Sequence, residues 1–277
     1  FVMPNYGARY TSSIYLRGFG SRINNPAVGI YVDDVPVICK SAYNSHFYDV
    51  ARIDVLRGPQ GTLYGQNTEG GIVRIYTKNP MQYSGTDVKL GIGSYLWRNV
   101  EVGHYGKISD NMAFSVAGFY DGQNGFLHNS ALDSRADLMN EAGGRLRFVF
   151  TPDRRLTVSL TADYQHVSQD AFAYGVFNPE TGVTSDPSSN FLNHYRRDMF
   201  TTGVGLKYDG GNFLLNSTTS YQYLRDEILM DQDYTAADYM HLLQSQINNA
   251  VTEELTIKSR KRDFWNWLLM LLLHSAF

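Results

Sequence analysis

Residues 50–78 read VARIDVLRGPQGTLYGQNTEGGIVRIYTK, and the fold turns on what this stretch is. Two apolar runs, 53–56 and 72–77, have the β-branched content of strands. Between them stand Gly58, Gly61, Gly65, Gly70 and Gly71, with Pro59 beside the first. Glycine admits positive φ and close backbone approach, and proline fixes φ and removes a donor. So dense a punctuation between two strands describes a tightly turned element rather than a linker. A phosphate loop would need Gly-Lys-Ser/Thr entering a helix, and residues 58–65 contain no lysine. A dinucleotide fingerprint would need three glycines between strand and helix with an acid about 20 residues on, a spacing not met here.

Upstream, residues 14–16 form a short apolar strand that ends at Arg17, Gly18, Phe19 and Gly20. Residues 28–32 and the pair Val35 and Val37 then flank Asp33-Asp34, which predicts a hairpin with the two acids at its turn. Adjacent carboxylates on extended chain point to opposite faces, so a turn role outweighs an acid–base pair. A short helical turn is expected over 47–50.

Four motifs from these eighty residues, IYLRGFG, GIYVDDVPV, ARIDVLRGPQGTLYG and GGIVRIYTKNP, occur in one order over about 65 positions. Together they resemble the plug domain of TonB-dependent outer-membrane receptors. The resemblance implies a small mixed α/β plug domain over 1–80, entered partway, with the TonB-contacting box belonging ahead of Phe1. It also implies a bacterial outer-membrane β-barrel protein whose partners are the TonB energy-transducing complex, a small-molecule ligand such as a ferric siderophore, and outer-membrane lipid. No cofactor is implied.

The texture changes after Pro80. Leu156, Val158, Leu160, Ala162 and Tyr164 alternate with Thr157, Ser159, Thr161, Asp163 and Gln165. The pattern returns in Phe200, Thr202, Val204, Leu206 and Tyr208, and in Leu146, Phe148 and Phe150 set against Arg145 and Arg147. Two arginines on one inner face suit a wet lumen better than a dry sandwich core. Strands of about ten residues, apolar outward and polar inward, are the sign of a membrane barrel. Short connections at 95–97, 109–111, 151–154, 209–212 and 259–263 interleave with long ones at 123–140, 168–197 and 226–244. Membrane barrels sort short periplasmic turns from long outer loops in this way. The fold class is therefore mainly β: the plug, then 84–277 as the first eight to nine antiparallel strands of an incomplete transmembrane barrel. From Trp267 to Leu273 both faces are apolar, and alternation is lost.

Composition agrees. Of 277 residues, 18% are charged and the formal net charge is −3, which gives no basic footprint for nucleic acid. The 20 tyrosines and 15 phenylalanines suit strands that end at polar–apolar boundaries. Cys39 is alone, so there is no internal disulfide and no cysteine zinc site. The seven histidines are scattered without the i, i+4 spacing of a metal helix, and no nucleophile elbow is present, so the sequence points to no enzyme.

By the resemblance, Arg17 and Arg57 lock the plug to glutamates on later barrel strands. Gly58, Pro59, Gly61, Gly65, Gly70 and Gly71 form the plug turn. Ligand contacts are expected from the plug loops 19–25, 38–46 and 61–64, with Tyr43, Phe47 and Tyr64 as stacking residues. Outer-loop Phe172, Tyr174 and Tyr234 are expected to close over the ligand, joined by Phe177 and Tyr239. A ferric siderophore leads as cargo. Cobalamin and glycans follow, and GPQGTLYG departs from the Ala-Thr-Ala segment usual in glycan importers. An open porin is the rival that residues 1–80 argue against.

Overall fold

The computed structural model describes residues 7–9, 12–20, 26–59, 61, 67–260 and 266–276. The ribbon β1 (Tyr15–Leu16) and β2 (Phe19–Gly20) leads into a four-stranded mixed sheet. It is built from β3 (Val28–Val32), β4 (Val35–Pro36), β5 (Val50–Arg57) and β6 (Gly71–Thr77), in the order β4-β3-β6-β5. β3 and β6 run parallel, and the other neighbours are antiparallel. Ile14, Leu16, Val28, Ile30, Tyr43, Val73 and Ile75 form the core of this unit. Asp33 and Asp34 turn the predicted hairpin with φ of 50° and 70°, the two positive values that a tight two-residue hairpin requires.

The opening stretch is what its glycines foretold at its two ends. Gly58 leaves β5 at φ 90°, and Gly71 enters β6 at φ 139°. A Cβ on Gly71 would sit 2.5 Å from Leu16 Cδ2 and closer still to the Leu56 carbonyl, so no other residue fits. Tyr64 and Gly65 lie outside the described residues. The expected helical turn over 47–50 is absent. Residues 45–48 carry no regular secondary structure, Asp49 takes φ 60°, and Val50 already begins β5. The helical element comes earlier, as a 3-10 turn at Lys40–Ala42. The Tyr48 ring is instead buried against Ala117 and Phe119 of the wall, which competes with closing a local turn.

The remaining chain is one antiparallel sheet of nine strands among the described residues. In chain order these are β7 (Gly85–Gly93), β8 (Trp97–Ser109), β9 (Met112–Gln123), β12 (Met139–Phe150), β13 (Leu156–Asp170), β16 (His194–Asp209), β17 (Phe213–Asp231), β18 (His241–Ser259) and β19 (Leu268–Ala276). The long connections carry two small ribbons, β10 (His128–Asn129) with β11 (Ser134–Arg135), and β14 (Phe177–Asn178) with β15 (Val183–Thr184). Each long strand pairs with the next in sequence, and the sheet is not closed. Two connections are shorter than expected, 171–193 and 232–240, because their hairpin legs stay paired well past Arg197 and Asp226. Residues 268–276 pair with β18 as a regular strand in spite of their lost alternation.

Side-chain alternation is inverted relative to a water-soluble sheet. Leu146 and Leu160 are 57% and 48% exposed, while Arg145 and Arg197 are 5% and 0% exposed. Arg145 and Arg147 lie opposite Asp163 and Thr161, on the face away from Leu160, as a barrel demands. The outward face is an apolar band for lipid, and the inward face is polar and wraps the plug. No helix among the described residues is long and apolar enough to cross a membrane, which is no test of strands.

Candidate functional site

The densest chemistry lies on the seam where the plug meets the wall. At the end of the molecule where β6 leaves the plug, the Asp33-Asp34 turn grips the wall on two sides. Asp33 accepts the Thr77 amide at 3.0 Å and pairs with Arg147 at 3.2 Å. Arg147 Nη1 also donates to Thr77 Oγ1 at 2.8 Å. Asp34 pairs with Arg74 of the plug and with Lys207 of β16, the latter at 2.7 Å. Burial works against the Asp34 carboxylate, but Lys207 and Arg74 outweigh it and hold its pKa below the usual range. The contribution of these pairs therefore stands above that titration and falls away as pH drops through it. Beside them the seam opens into a cavity of about 400 Å3 bordered by Asp34, Arg74, Lys207, Glu254 and Lys258.

Midway up, Arg145 Nη2 pairs with Asp163 at 3.1 Å and stands 4.6 Å from the centre of the Tyr48 ring. The Tyr48 hydroxyl donates to Asp163 at 2.8 Å. Tyr31 reaches Glu254 at 3.0 Å, and Tyr105 donates to Asp49. Higher still, Gln222 Oε1 accepts the Ile38 and Cys39 amides, each at 3.1 Å. Arg197 donates to the Ser41 carbonyl, and Gln246 bridges Ser41 Oγ and Asp226 at 2.9 Å each. Burial pushes the Cys39 thiol up to about 11, with Asp226 adding to it. The plug tip is held by Arg9, whose Nη2 meets Glu141 at 2.6 Å and whose Nη1 meets Asn44 Oδ1 at 2.8 Å.

The residues singled out from the sequence fall into three groups. Arg17 and Arg57 are both exposed at the ends of plug strands, Arg17 with φ 53°, and neither forms an ion pair with a described residue. Tyr43 is 2% exposed inside the plug core, and Phe47 packs against the same core, so both rings face packing rather than an open surface. The three outer-loop aromatics do come together. Tyr174 stands edge-on to Phe172 at 6.2 Å and to Tyr234 at 5.5 Å. Phe172 is itself buried with Ala8, Val167, Tyr195 and Ile228, which fastens the outer loop 171–193 to the plug. Phe177 and Tyr239 remain exposed.

Sequence reasoning missed Glu141, Arg197, Gln222 and Gln246 as seam residues. The signal was present: each is a charged or amide side chain at an inward position of an alternating strand. What the sequence lacked was any hint of the plug group opposite, up to 205 residues away for Gln246 and Ser41.

Comparison with known proteins agrees with this architecture. The family model described as TonB-dependent Receptor Plug Domain matches residues 1–72. The pesticin receptor of Yersinia pestis is 44% identical over 80 residues, 28% of this chain and 12% of the relative. The vitamin B12 transporter BtuB of Vibrio vulnificus is 26% identical over 135 residues, 45% of this chain and 21% of the relative. Among solved structures, the ferric yersiniabactin uptake receptor FyuA from Yersinia pestis superposes with a TM-score of 0.86 at 23% identity. That match covers 99% of this chain and 44% of FyuA. The ferripyoverdine receptor of the outer membrane of Pseudomonas aeruginosa gives 0.72 at 16% identity, over 99% of this chain and 38% of the receptor. The chain thus spans under half the length of the proteins it matches. With motifs, plug sheet and inside-out wall in register with one family, the chain is the plug and part of the outer-membrane β-barrel of a TonB-dependent receptor.

Proposed function

We propose that the receptor to which this chain belongs imports a ferric siderophore, with the plug moved by the TonB energy-transducing complex. The observation that carries this reading is double. The plug aligns at 44% identity with the pesticin receptor, and plug and wall together superpose on a ferric yersiniabactin uptake receptor at a TM-score of 0.86. In this reading Arg17 and Arg57, exposed at the open side of the plug sheet, lock onto wall strands other than the nine described here. Phe172, Tyr174 and Tyr234 form the aromatic edge of the outer loops that closes over cargo. Cobalamin is the second reading, favoured by the longer alignment to the vitamin B12 transporter.

Growth of a strain lacking the full-length gene on single ferric siderophores, cobalamin and glycans separates these cargoes. Loss of growth on one ferric siderophore, restored by the gene, is the expected result. A requirement confined to cobalamin or to a glycan overturns it. Free flux of small sugars through the full-length protein in liposomes would instead show an open pore.

A further inference from the structure

We infer that the three outer loops 124–138, 171–193 and 232–240 form one lid, and that plug residues Gly7, Ala8 and Arg9 are the tether that holds it down. Plug and lid meet through backbone groups. The Phe172 amide donates to the Gly7 carbonyl at 2.9 Å, and the Arg9 amide donates to Gln169 Oε1 of β13 at 3.1 Å. Between these two bonds Ala8 is fully buried among Val167, Ala171, Phe172, Tyr195 and Ile228. Gly7, at φ 97°, makes the seat for the Tyr174 ring, since a Cβ there would stand 2.5 Å from the Tyr174 hydroxyl oxygen. Phe172 takes φ 55°, a left-handed conformation that a bulky residue keeps only where its surroundings fix it. The Gly7 carbonyl and the packing around Ala8 are those surroundings.

From Phe172 the contacts run on into the other loops. Asn193, 5% exposed, donates through Nδ2 to the Phe172 carbonyl and to Ser189 Oγ, each at 3.2 Å. Its Oδ1 accepts the Asp231 amide at 2.7 Å. Asp231 Oδ1 in turn accepts the Tyr234 amide at 3.3 Å, and the Tyr234 ring stands edge-on to Tyr174. Ser188 Oγ completes the link by donating to the Tyr234 carbonyl at 3.1 Å. On the other side, Asn129 Nδ2 donates to the Ser189 carbonyl at 2.9 Å and the Ser130 amide to the Pro187 carbonyl at 2.8 Å. Loops 124–138 and 232–240 thus join the plug through 171–193.

The lid is therefore held by the plug and needs no cargo to close it. Coupling of this kind is reciprocal: whatever unseats residues 7–9 frees the lid, and whatever opens the lid loosens residues 7–9. Its use in transport rests on the plug movement proposed above, under which withdrawal of this segment slackens all three loops together.

The test is amide hydrogen exchange of the full-length, cargo-free receptor, reading residues 126–132 and 234–240, which lie beyond the tether. Gly7→Ala combined with Ala8→Gln fills both seats at once, so neither ring fits and the Gly7 carbonyl is carried away from the Phe172 amide. Both loop segments are expected to exchange at least about three-fold faster in this variant, with the mid-strand amides of β13 and β16 unchanged. Heat-resistant migration of the barrel on gels checks that a variant has folded. Phe172→Pro removes the donating amide from the loop side and decides the matter if the double variant does not fold. It is expected to speed exchange at 234–240 and at plug residues 7–9 alike. Wild-type exchange at 126–132 and 234–240 in the folded double variant, or at residues 7–9 in folded Phe172→Pro, overturns the inference. A different cargo in the growth assay leaves these rates as they are, so the two readings fail separately.

Discussion

Plug and wall are both built from strands and bury opposite kinds of side chain. In the plug, Ile30, Val73 and Ile75 are buried at 2%, 4% and 2% exposure, while Arg17 and Arg57 stay in the open. In the wall, Leu146, Leu160 and Val204 are exposed, while Arg145, Arg197, Gln165 and Gln222 are buried. The difference teaches that burial here follows the identity of the solvent and not the polarity of the residue. Lipid accepts the apolar face, and the plug supplies partners for the polar one. Each region therefore lacks something the other provides, and the seam is where the exchange is made.

The sharpest way to break this picture is to remove one seam partner. Arg145→Ala leaves a half-buried Asp163 beside a Tyr48 that has lost its cation, at a cost of up to about 3–5 kcal/mol. In denaturant melts of the full-length receptor the plug amides are expected to lose protection first, with the β signal of the barrel unchanged. A variant as stable as wild type would show that the seam is not fastened there. Next in size, Leu160→Arg places a charge on the outer face a third of the way along β13. It is expected to lower the free energy of folding into liposomes by about 2–4 kcal/mol. Plug protection should be untouched, and a neutral outcome would mean that this face does not meet lipid. Smallest is a change inside the plug. Gly71→Ala forces a Cβ onto Leu16 and the Leu56 carbonyl and is expected to cost about 1–3 kcal/mol. Gly61→Ala, whose nearest neighbour among the described residues would be Thr68 Oγ1 at 3.7 Å, should stay within about 0.5 kcal/mol and serves as its control.

Much of the fold was legible because alternation and turn chemistry are local. The strand series from Gly85 to Ser259, the inward placement of Arg145 and Arg147, and the Asp33-Asp34 hairpin all followed from neighbours in sequence, whereas the strand Leu268–Ala276 did not. What escaped depended on distant partners. Asp33 and Asp34 read as turn residues, and they are, yet their carboxylates also reach Arg147 and Lys207, more than a hundred residues on. Tyr43 read as a candidate for stacking on ligand from a plug loop, and its ring lies in the plug core; aromatic identity does not say which side of a loop will be covered. The helical turn expected over 47–50 gave way to irregular chain leading into β5 because Tyr48 is drawn under Phe119, a contact 71 positions away (119 less 48).

The seam also sets an order of events in time. Tyr31 waits for Glu254, which follows 223 residues later, and Ser41 waits for Gln246. Contacts of such sequence separation are reached slowly, since the intervening chain must be brought into place before they reward it. The plug is made before the wall and is the last to find its polar neighbours. Until the wall is assembled, its acidic hairpin has Arg74 and Thr77 of the plug but lacks Arg147 and Lys207, and its Ser41 lacks Arg197 and Gln246, a half-finished state exposed to misassembly. Delay in closing the wall is thus expected to be felt first as a plug that has not seated.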